Sequence, residues 1–160
     1  MSEIIDLYDE SGKIVGQKSR ESVDPLKDIL KTVNVIVLNS KKELYMTKPA
    51  HSLWPGKWAS SAAGIVRQDQ SGDDAAMRTV KKELGIVLKL ISLGESFYDF
   101  DGIKFWMSTY YGTTTMPVVP NPRDVAQGKW MSVDVVERIL SDCYPTFQVS
   151  FKKLKDAKVI

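Results

Sequence analysis

The chain has 160 residues, of which 26% are charged, and a formal net charge of +2. This length suits one domain with a buried core, and so small a net charge gives no sign of a nucleic-acid or membrane partner. No apolar run reaches the roughly 18 residues that a membrane-spanning helix needs, and the acidic start, MSEIIDLYDES, does not resemble a signal peptide. The single cysteine, Cys143, excludes an intramolecular disulfide. We therefore predict one cytoplasmic domain over residues 1–160.

The first predicted element is a β-hairpin over residues 4–18, within an N-terminal extension assigned to residues 1–20. The segments IIDLY and KIVGQK are predicted strands, and the sequence between them, Asp9-Glu10-Ser11-Gly12, is typical of a turn. Residues 19–31 are polar and irregular, with Pro25 as a break, and leave room for one short helical turn at 25–31.

Strands and helices follow in an order that predicts a mixed sheet packed between helices. The predicted strands cover residues 32–39, 43–48, 59–64, 87–98, 103–111 and 127–131. Ser132 is expected to cap a helix that extends to about residue 141. Pro145 is expected to begin the last helix, in which Phe147, Phe151 and Leu154 share one apolar face.

Between these groups of strands, residues 64–86 are predicted to form a loop that leads into a helix. Ser71 is a suitable N-cap with an acidic residue, Asp74, three positions later, and Gly85 is a suitable stop. Helical spacing places Ala76, Val80 and Leu84 on one buried stripe. The same spacing places Thr79, Lys82 and Glu83 on a second face, which we expect to lie away from that stripe.

The spacing of residues 64–86 resembles the Nudix box, G-x5-E-x7-R-E-U-x-E-E-x-G-U, in which U is an aliphatic residue. Six positions match the frame of the motif: Gly64, Arg78, Val80, Glu83, Gly85 and Ile86. Three family glutamates are replaced, by Gln70, Thr79 and Lys82, so the box is degenerate.

Two further segments, DLYDESGKIVG near the N-terminus and the W-P-G-x-W run at 54–58, resemble the Nudix branch that includes isopentenyl diphosphate isomerase. The resemblance implies an α/β fold: a Nudix-like α/β/α sandwich with a mixed sheet and an N-terminal β-hairpin. It does not imply isomerase activity, because the isomerase cysteine and histidine that flank the box glycine are replaced by Ala63 and Ile65. The only histidine, His51, lies in the preceding loop and is expected to be an ordinary polar residue.

Nudix enzymes hydrolyse a nucleoside diphosphate linked to another moiety, and the resemblance implies that box carboxylates bind Mg²⁺ or Mn²⁺ for this reaction. In this chain Glu83 is the one carboxylate left on the helix face, and Lys82 adds a positive charge. Two unit charges about 5 Å apart repel by roughly 3 kcal/mol at an effective dielectric constant near 20. We therefore expect a single Mg²⁺ at most, held by Glu83, substrate phosphates and water.

Three residues outside the box are further candidates for the site. Asp124 lies six residues before Trp130, an offset at which many Nudix proteins carry a glutamate, so the resemblance implies a metal ligand or base; an ordinary loop aspartate is the alternative. Lys48 is a candidate diphosphate contact or a surface lysine. Trp54 either lines the cleft or anchors its loop on the core.

Three functions remain open from the sequence. The first is a divergent hydrolase that uses Glu83, Asp124 and one Mg²⁺ on a small-molecule diphosphate or nucleotide. The second is a module that binds an anionic ligand directly through Lys82 and Lys48. The third is a scaffold or dimerising protein; a homodimer fits all three, since Nudix proteins often pair.

Overall fold

A β-hairpin begins the part of the chain, residues 3–160, that the computed structural model describes. Its antiparallel strands are β1 (Ile4–Tyr8) and β2 (Ile14–Ser19). The turn between them is held by Asp9, whose Oδ1 accepts hydrogen bonds from the backbone N–H groups of Ser11 at 2.9 Å and Lys13 at 3.0 Å. The predicted hairpin is confirmed, while the first two residues of the predicted extension, 1–20, lie outside the described range.

Six strands form the central sheet, in the order β6-β7-β3-β4-β8 with β5 paired to β3. They are β3 (Leu30–Leu38), β4 (Leu44–Pro49), β5 (Ala62–Ile65), β6 (Ile91–Phe100), β7 (Ile103–Thr113) and β8 (Val125–Met131). The pairing of β3 with β7 is parallel and the other pairings are antiparallel. The sheet is therefore mixed, as predicted.

Three α-helices cover the two faces of this sheet: α1 (Gly72–Leu84), α2 (Val133–Arg138) and α3 (Pro145–Asp156). Successive side chains of β3 point to opposite faces, so Val33, Val35 and Val37 pack with α1 in one core. Ile36 and Leu38 pack with α3 in the other. The α/β/α sandwich is thus confirmed. Within residues 3–160, none of the helices has the length and apolar character needed to cross a bilayer.

Several predicted boundaries were wrong. Residues 25–27 form a single turn, closed by a hydrogen bond from the N–H of Asp28 to the carbonyl of Asp24 at 2.8 Å, but Ile29 is bridged to Tyr8 and residues 30–31 already belong to β3; a short 3-10 helix lies earlier, at Arg20–Ser22. The helix after Ser132 ends at Arg138 and is followed by a 3-10 turn at Leu140–Asp142. Residues 87–90, predicted as strand, precede β6; the side chains of Leu88 and Leu90 pack against the α1 core there.

The predicted caps of α1 are present. The Oγ of Ser71 accepts a hydrogen bond from the N–H of Asp74 at 3.1 Å, and Gly85 ends the helix in the left-handed conformation, with φ at 67°. The predicted stripe of Ala76, Val80 and Leu84 is buried.

The expectation for Thr79 was wrong, because this side chain is only 1% exposed. Thr79 packs directly against Gly64 of β5, where a side chain on the glycine would overlap the Thr79 hydroxyl. The second face of α1 is therefore split: Thr79 contacts the sheet, while Lys82 and Glu83 lie nearer its edge and line a cleft.

Candidate active site

A cleft of about 420 Å³ opens at the end of the sheet where β3 and β4 separate. These two strands are in register only at Leu38 and Leu44, and β5 pairs along the other half of β3. The walls come from β3, β5, the end of α1, the loops around residues 50 and 124, and the start of α3. The volume lies within the range of small-molecule binding sites.

Glu83 and Asp124 lie at one end of this cleft. One carboxylate oxygen of Glu83, Oε1, accepts a hydrogen bond from the N–H of Ala63 in β5, at 3.4 Å. The loop that carries Asp124 is tied to α1 by a hydrogen bond from the N–H of Asn121 to the carbonyl of Glu83, at 2.8 Å. Two carboxylates far apart in sequence are thus held at the same edge of the sheet.

The Glu83 carboxyl group is partly buried, and burial raises its pKa to about 7. The N–H of Ala63 and the charge of Lys82 act in the opposite direction, while the charge of Asp124 raises the pKa further. Near neutral pH this group is therefore present in both its protonated and its ionised form.

Lys82 and Asp124 form an ion pair at the mouth of the cleft, with 3.5 Å between Nζ and Oδ1. The lysine side chain is 58% exposed and the aspartate side chain 18%. The second aspartate oxygen, Oδ2, is buried and has no hydrogen-bond partner within residues 3–160. Asp124 therefore keeps one acceptor oxygen unused, and Lys82 partly neutralises its charge.

Arg78 fixes the loop before α1. Its Nη2 donates to the carbonyl of Ile65 at 2.9 Å and to Oε1 of Gln70 at 3.3 Å. Because Gln70 is uncharged, the contact between these two side chains is a hydrogen bond and not an ion pair. Arg78 thus links the loop to the end of β5.

The remaining predicted site residues are placed differently. Trp54 lines the cleft and also packs edge-on against Tyr144, with 5.0 Å between ring centroids, so its two predicted positions are compatible. The Nζ of Lys48 lies 4.9 Å from the ring centroid of Trp58, and Lys48 is not among the described residues that line the cleft. His51 is exposed at the cleft wall.

A family model for the NUDIX domain matches residues 29–148, three quarters of the chain. The chain belongs to the Nudix family. This match includes residues 64–86 and Asp124, and it begins after the hairpin of β1 and β2.

Similar Nudix proteins include a Nudix hydrolase of Deinococcus radiodurans, which is 26% identical over 135 residues, 81% of this chain and 79% of the relative. An isopentenyl-diphosphate Delta-isomerase of Corynebacterium diphtheriae is 32% identical over 102 residues, 61% of this chain and 56% of the relative. The second match agrees with the isomerase-related branch that the sequence resembles.

A crystal structure from Deinococcus radiodurans superposes with a TM-score of 0.77. The alignment covers 94% of this chain and 98% of that chain, at 22% identity. The likeness shows that the two chains share one fold over most of their length.

The donor set of this Nudix site is small. Within the described residues, three or more His, Cys, Asp or Glu side chains do not come together in a group that could hold a metal ion. The available donors are the carboxylates of Glu83 and Asp124, the latter with its unpaired Oδ2. Oxygen donors of this kind suit one hard divalent cation that completes its coordination with water or substrate oxygens.

Sequence reasoning missed Asn34, which lines the cleft from β3 although only 3% of its surface is exposed. The available signal was its position in the run TVNVIVL, where an amide interrupts β-branched and aliphatic residues. A polar residue in so apolar a strand needs hydrogen-bond partners, but the sequence does not reveal that one side of it meets a cleft.

Proposed function

We propose that this Nudix protein hydrolyses a diphosphate linkage in a small molecule, either a nucleoside diphosphate derivative or another diphosphate. The observation that carries the proposal is the pair of carboxylates, Glu83 and Asp124, at one end of a cleft of suitable size. The relative from Deinococcus radiodurans that is named a Nudix hydrolase supports the reaction class.

The proposed cofactor is one Mg²⁺, held by Glu83 and Asp124 together with the substrate. The buried, unpaired Oδ2 of Asp124 supports this assignment, because a carboxylate oxygen without a partner is costly unless a ligand completes it. When bound, the ion would supply charge neutralisation for the diphosphate and would lower the pKa of a bound water.

Hydrolysis adds water across the P–O–P bond. The water oxygen forms a new bond to phosphorus, and the bridging oxygen leaves with the electron pair of the broken bond. A carboxylate that accepts the water proton completes the balance. Glu83 is the candidate for this proton, since its carboxylate lines the cleft in which the diphosphate would lie.

A second function, direct binding of an anionic ligand without turnover, is favoured by Lys82. Its ammonium group lines the cleft beside Asp124 and stands at a position where the family carries a carboxylate. In this alternative Lys82, rather than a metal ion, would contact the phosphates. Lys48 contributes less support, because its ammonium group lies over the Trp58 ring.

The experiment that tests the first function is a turnover assay over a panel of nucleoside diphosphate derivatives and simple diphosphates, with Mg²⁺ and a high enzyme concentration. We expect Mg²⁺-dependent phosphate or nucleotide release, and a loss of about 100-fold or more in Glu83→Gln, which removes the proton acceptor. The matched control is Glu137→Gln, since Glu137 is exposed and pairs with Lys155 on α3.

Two results would contradict the proposal: no turnover of any compound, or equal rates in the parent protein and Glu83→Gln. Binding of inorganic pyrophosphate that is lost in Lys82→Ala, with no turnover of the panel, would support the second function instead. The one-domain assignment, the cytoplasmic location and the homodimer stay predictions.

A further inference from the structure

Asn34 lies in the floor of the cleft and is held from behind by α3. Its Nδ2 donates to the Oγ of Ser150 at 2.7 Å and to the carbonyl oxygen of Thr146 at 3.4 Å. The Ser150 hydroxyl lies in turn 3.0 Å from the Oγ1 of Thr109 on β7. Ser150 and Thr109 are fully buried, so this network is fixed within the core.

The network also fixes which end of the Asn34 amide faces the cleft. A backbone carbonyl can only accept hydrogen bonds, so the atom that points to Thr146 is the NH₂ group. The opposite atom, Oδ1, accepts no hydrogen bond from residues 3–160. Some buried side-chain atoms of the protein are shut off from solvent and have no hydrogen-bond partner, but Oδ1 does not belong to them. Oδ1 is therefore an acceptor that remains open to the cleft.

The position of Asn34 relative to the carboxylates follows from the strand register. Asn34 of β3 is paired with Ala63 of β5, and the N–H of Ala63 bonds to Glu83. Neighbouring strands lie about 4.8 Å apart, so a ligand with its phosphates at Glu83 needs to cross only β5 to reach the acceptor on β3.

Aromatic side chains line the cleft together with polar ones such as Thr32, Thr47 and Thr146. Trp54, Phe105 and Tyr144 all line it. Trp54 is held edge-on by Tyr144 and by Phe100, with ring centroids 5.0 Å and 6.4 Å away. A ring or chain of a ligand can pack on these aromatic side chains, while the open Oδ1 of Asn34 can only accept a hydrogen bond and so favours a ligand with an N–H or O–H group.

We propose that Asn34 is a specificity-determining residue that selects diphosphates carrying a hydrogen-bond donor on their organic part over plain alkyl diphosphates. The inference rests on the proposed function, since it assumes that the phosphates lie at Glu83 and Asp124. A donor-bearing ligand completes the open Oδ1, whereas an alkyl chain would bury it without a partner.

The test is a binding titration of Asn34→Ala and of the parent protein with three probes in Mg²⁺: ADP, geranyl diphosphate and inorganic pyrophosphate. ADP and geranyl diphosphate carry the same diphosphate end, but only ADP has N–H and O–H groups on its organic part. We expect Asn34→Ala to weaken ADP binding by about 5- to 10-fold, the usual effect of one hydrogen bond, and to leave the other two affinities within about 2-fold.

Thr109→Val is the matched control, because it removes another member of the same buried network without touching the cleft; we expect all three affinities to stay unchanged. Asn34→Ser is a second variant, to be used if Asn34→Ala does not fold. The introduced serine hydroxyl can still reach toward Ser150, whereas the Oδ1 acceptor is lost.

Equal weakening of all three probes, an unchanged ADP affinity, or the same selectivity change in Thr109→Val would overturn the inference and leave the hydrolase proposal intact. If the parent protein binds pyrophosphate but neither Asn34 variant changes the preference for ADP, the inference alone is wrong. If the parent protein binds none of the probes but turns over other compounds of the panel, the inference alone is wrong; if it also turns over none of them, the proposed function is wrong and the inference falls with it.

Discussion

The ammonium group of Lys82 lies 3.5 Å from Oδ1 of Asp124, and this ion pair joins the last turn of α1 to the loop before β8. Lys82 thus contacts the second carboxylate of the candidate site. Any cation that binds to Glu83 and Asp124 has to compete with this internal positive charge.

The first prediction is that Lys82→Ala increases the affinity for Mg²⁺ in the presence of pyrophosphate. The expected gain is roughly 3- to 10-fold, because an exposed, partly screened charge is worth about 1 kcal/mol. Isothermal titration calorimetry measures it. Lys81→Ala is the control, since Lys81 lies on the same helix but does not line the cleft; an equal gain in both variants would show a general charge effect.

The second prediction concerns restoration of the family glutamates. Thr79→Glu should lower the free energy of unfolding by roughly 3 kcal/mol or more, because Thr79 is 1% exposed and a carboxylate there would be buried without a cation. Lys82→Glu places the same residue on the exposed part of the helix but replaces the ion pair with Asp124 by two like charges, so it should cost about 1 kcal/mol, less than Thr79→Glu. Urea unfolding measures both, and equal stabilities would contradict the placement of Thr79.

The third prediction tests the contact between β5 and α1. Gly64→Ala should cost about 1–3 kcal/mol, since the new methyl group would overlap the hydroxyl of Thr79 and lie 3.2 Å from its Cγ2. Adding Thr79→Ala should recover part of that loss, with a coupling energy of about 1–2 kcal/mol in a double-mutant cycle. Additive effects of the two substitutions would show that the overlap is relieved elsewhere.

The fourth prediction is a pH dependence of stability that comes from Glu83. Burial of this carboxyl group on folding raises its pKa from the ordinary value of 4.5 to about 7. The folded state then binds more protons than the unfolded state between these two values, so this group makes the protein less stable as the pH rises through that window. The destabilisation is absent below about pH 4.5 and complete above about pH 7.

Glu83→Gln provides the measurement for this effect. The amide of the variant cannot ionise. The free energy of unfolding of Glu83→Gln, relative to that of the parent protein, should therefore increase from pH 4.5 to pH 7 and then level off. Chemical unfolding at a series of pH values gives the difference, and Glu137→Gln again serves as the exposed control. A difference that stays constant across the series would show that the Glu83 pKa is not raised.

Local features of the chain were predictable because their signals act over a few residues. The Ser71 cap, the left-handed Gly85 and the turn at Asp9 depend on short-range hydrogen bonds and backbone preferences. The box spacing with Gly64 and Arg78 likewise predicted the fold.

Tertiary structure alone decided where the side chains between these signals point. Helical spacing placed Thr79 beside Lys82 and Glu83, but only the approach of β5 buries it against Gly64. The ion pair of Lys82 with Asp124, and the open oxygen of Asn34, depend on packing between elements that are distant in the chain. A short sequence pattern carries no information about such distances, because they follow from how the sheet and helices come together.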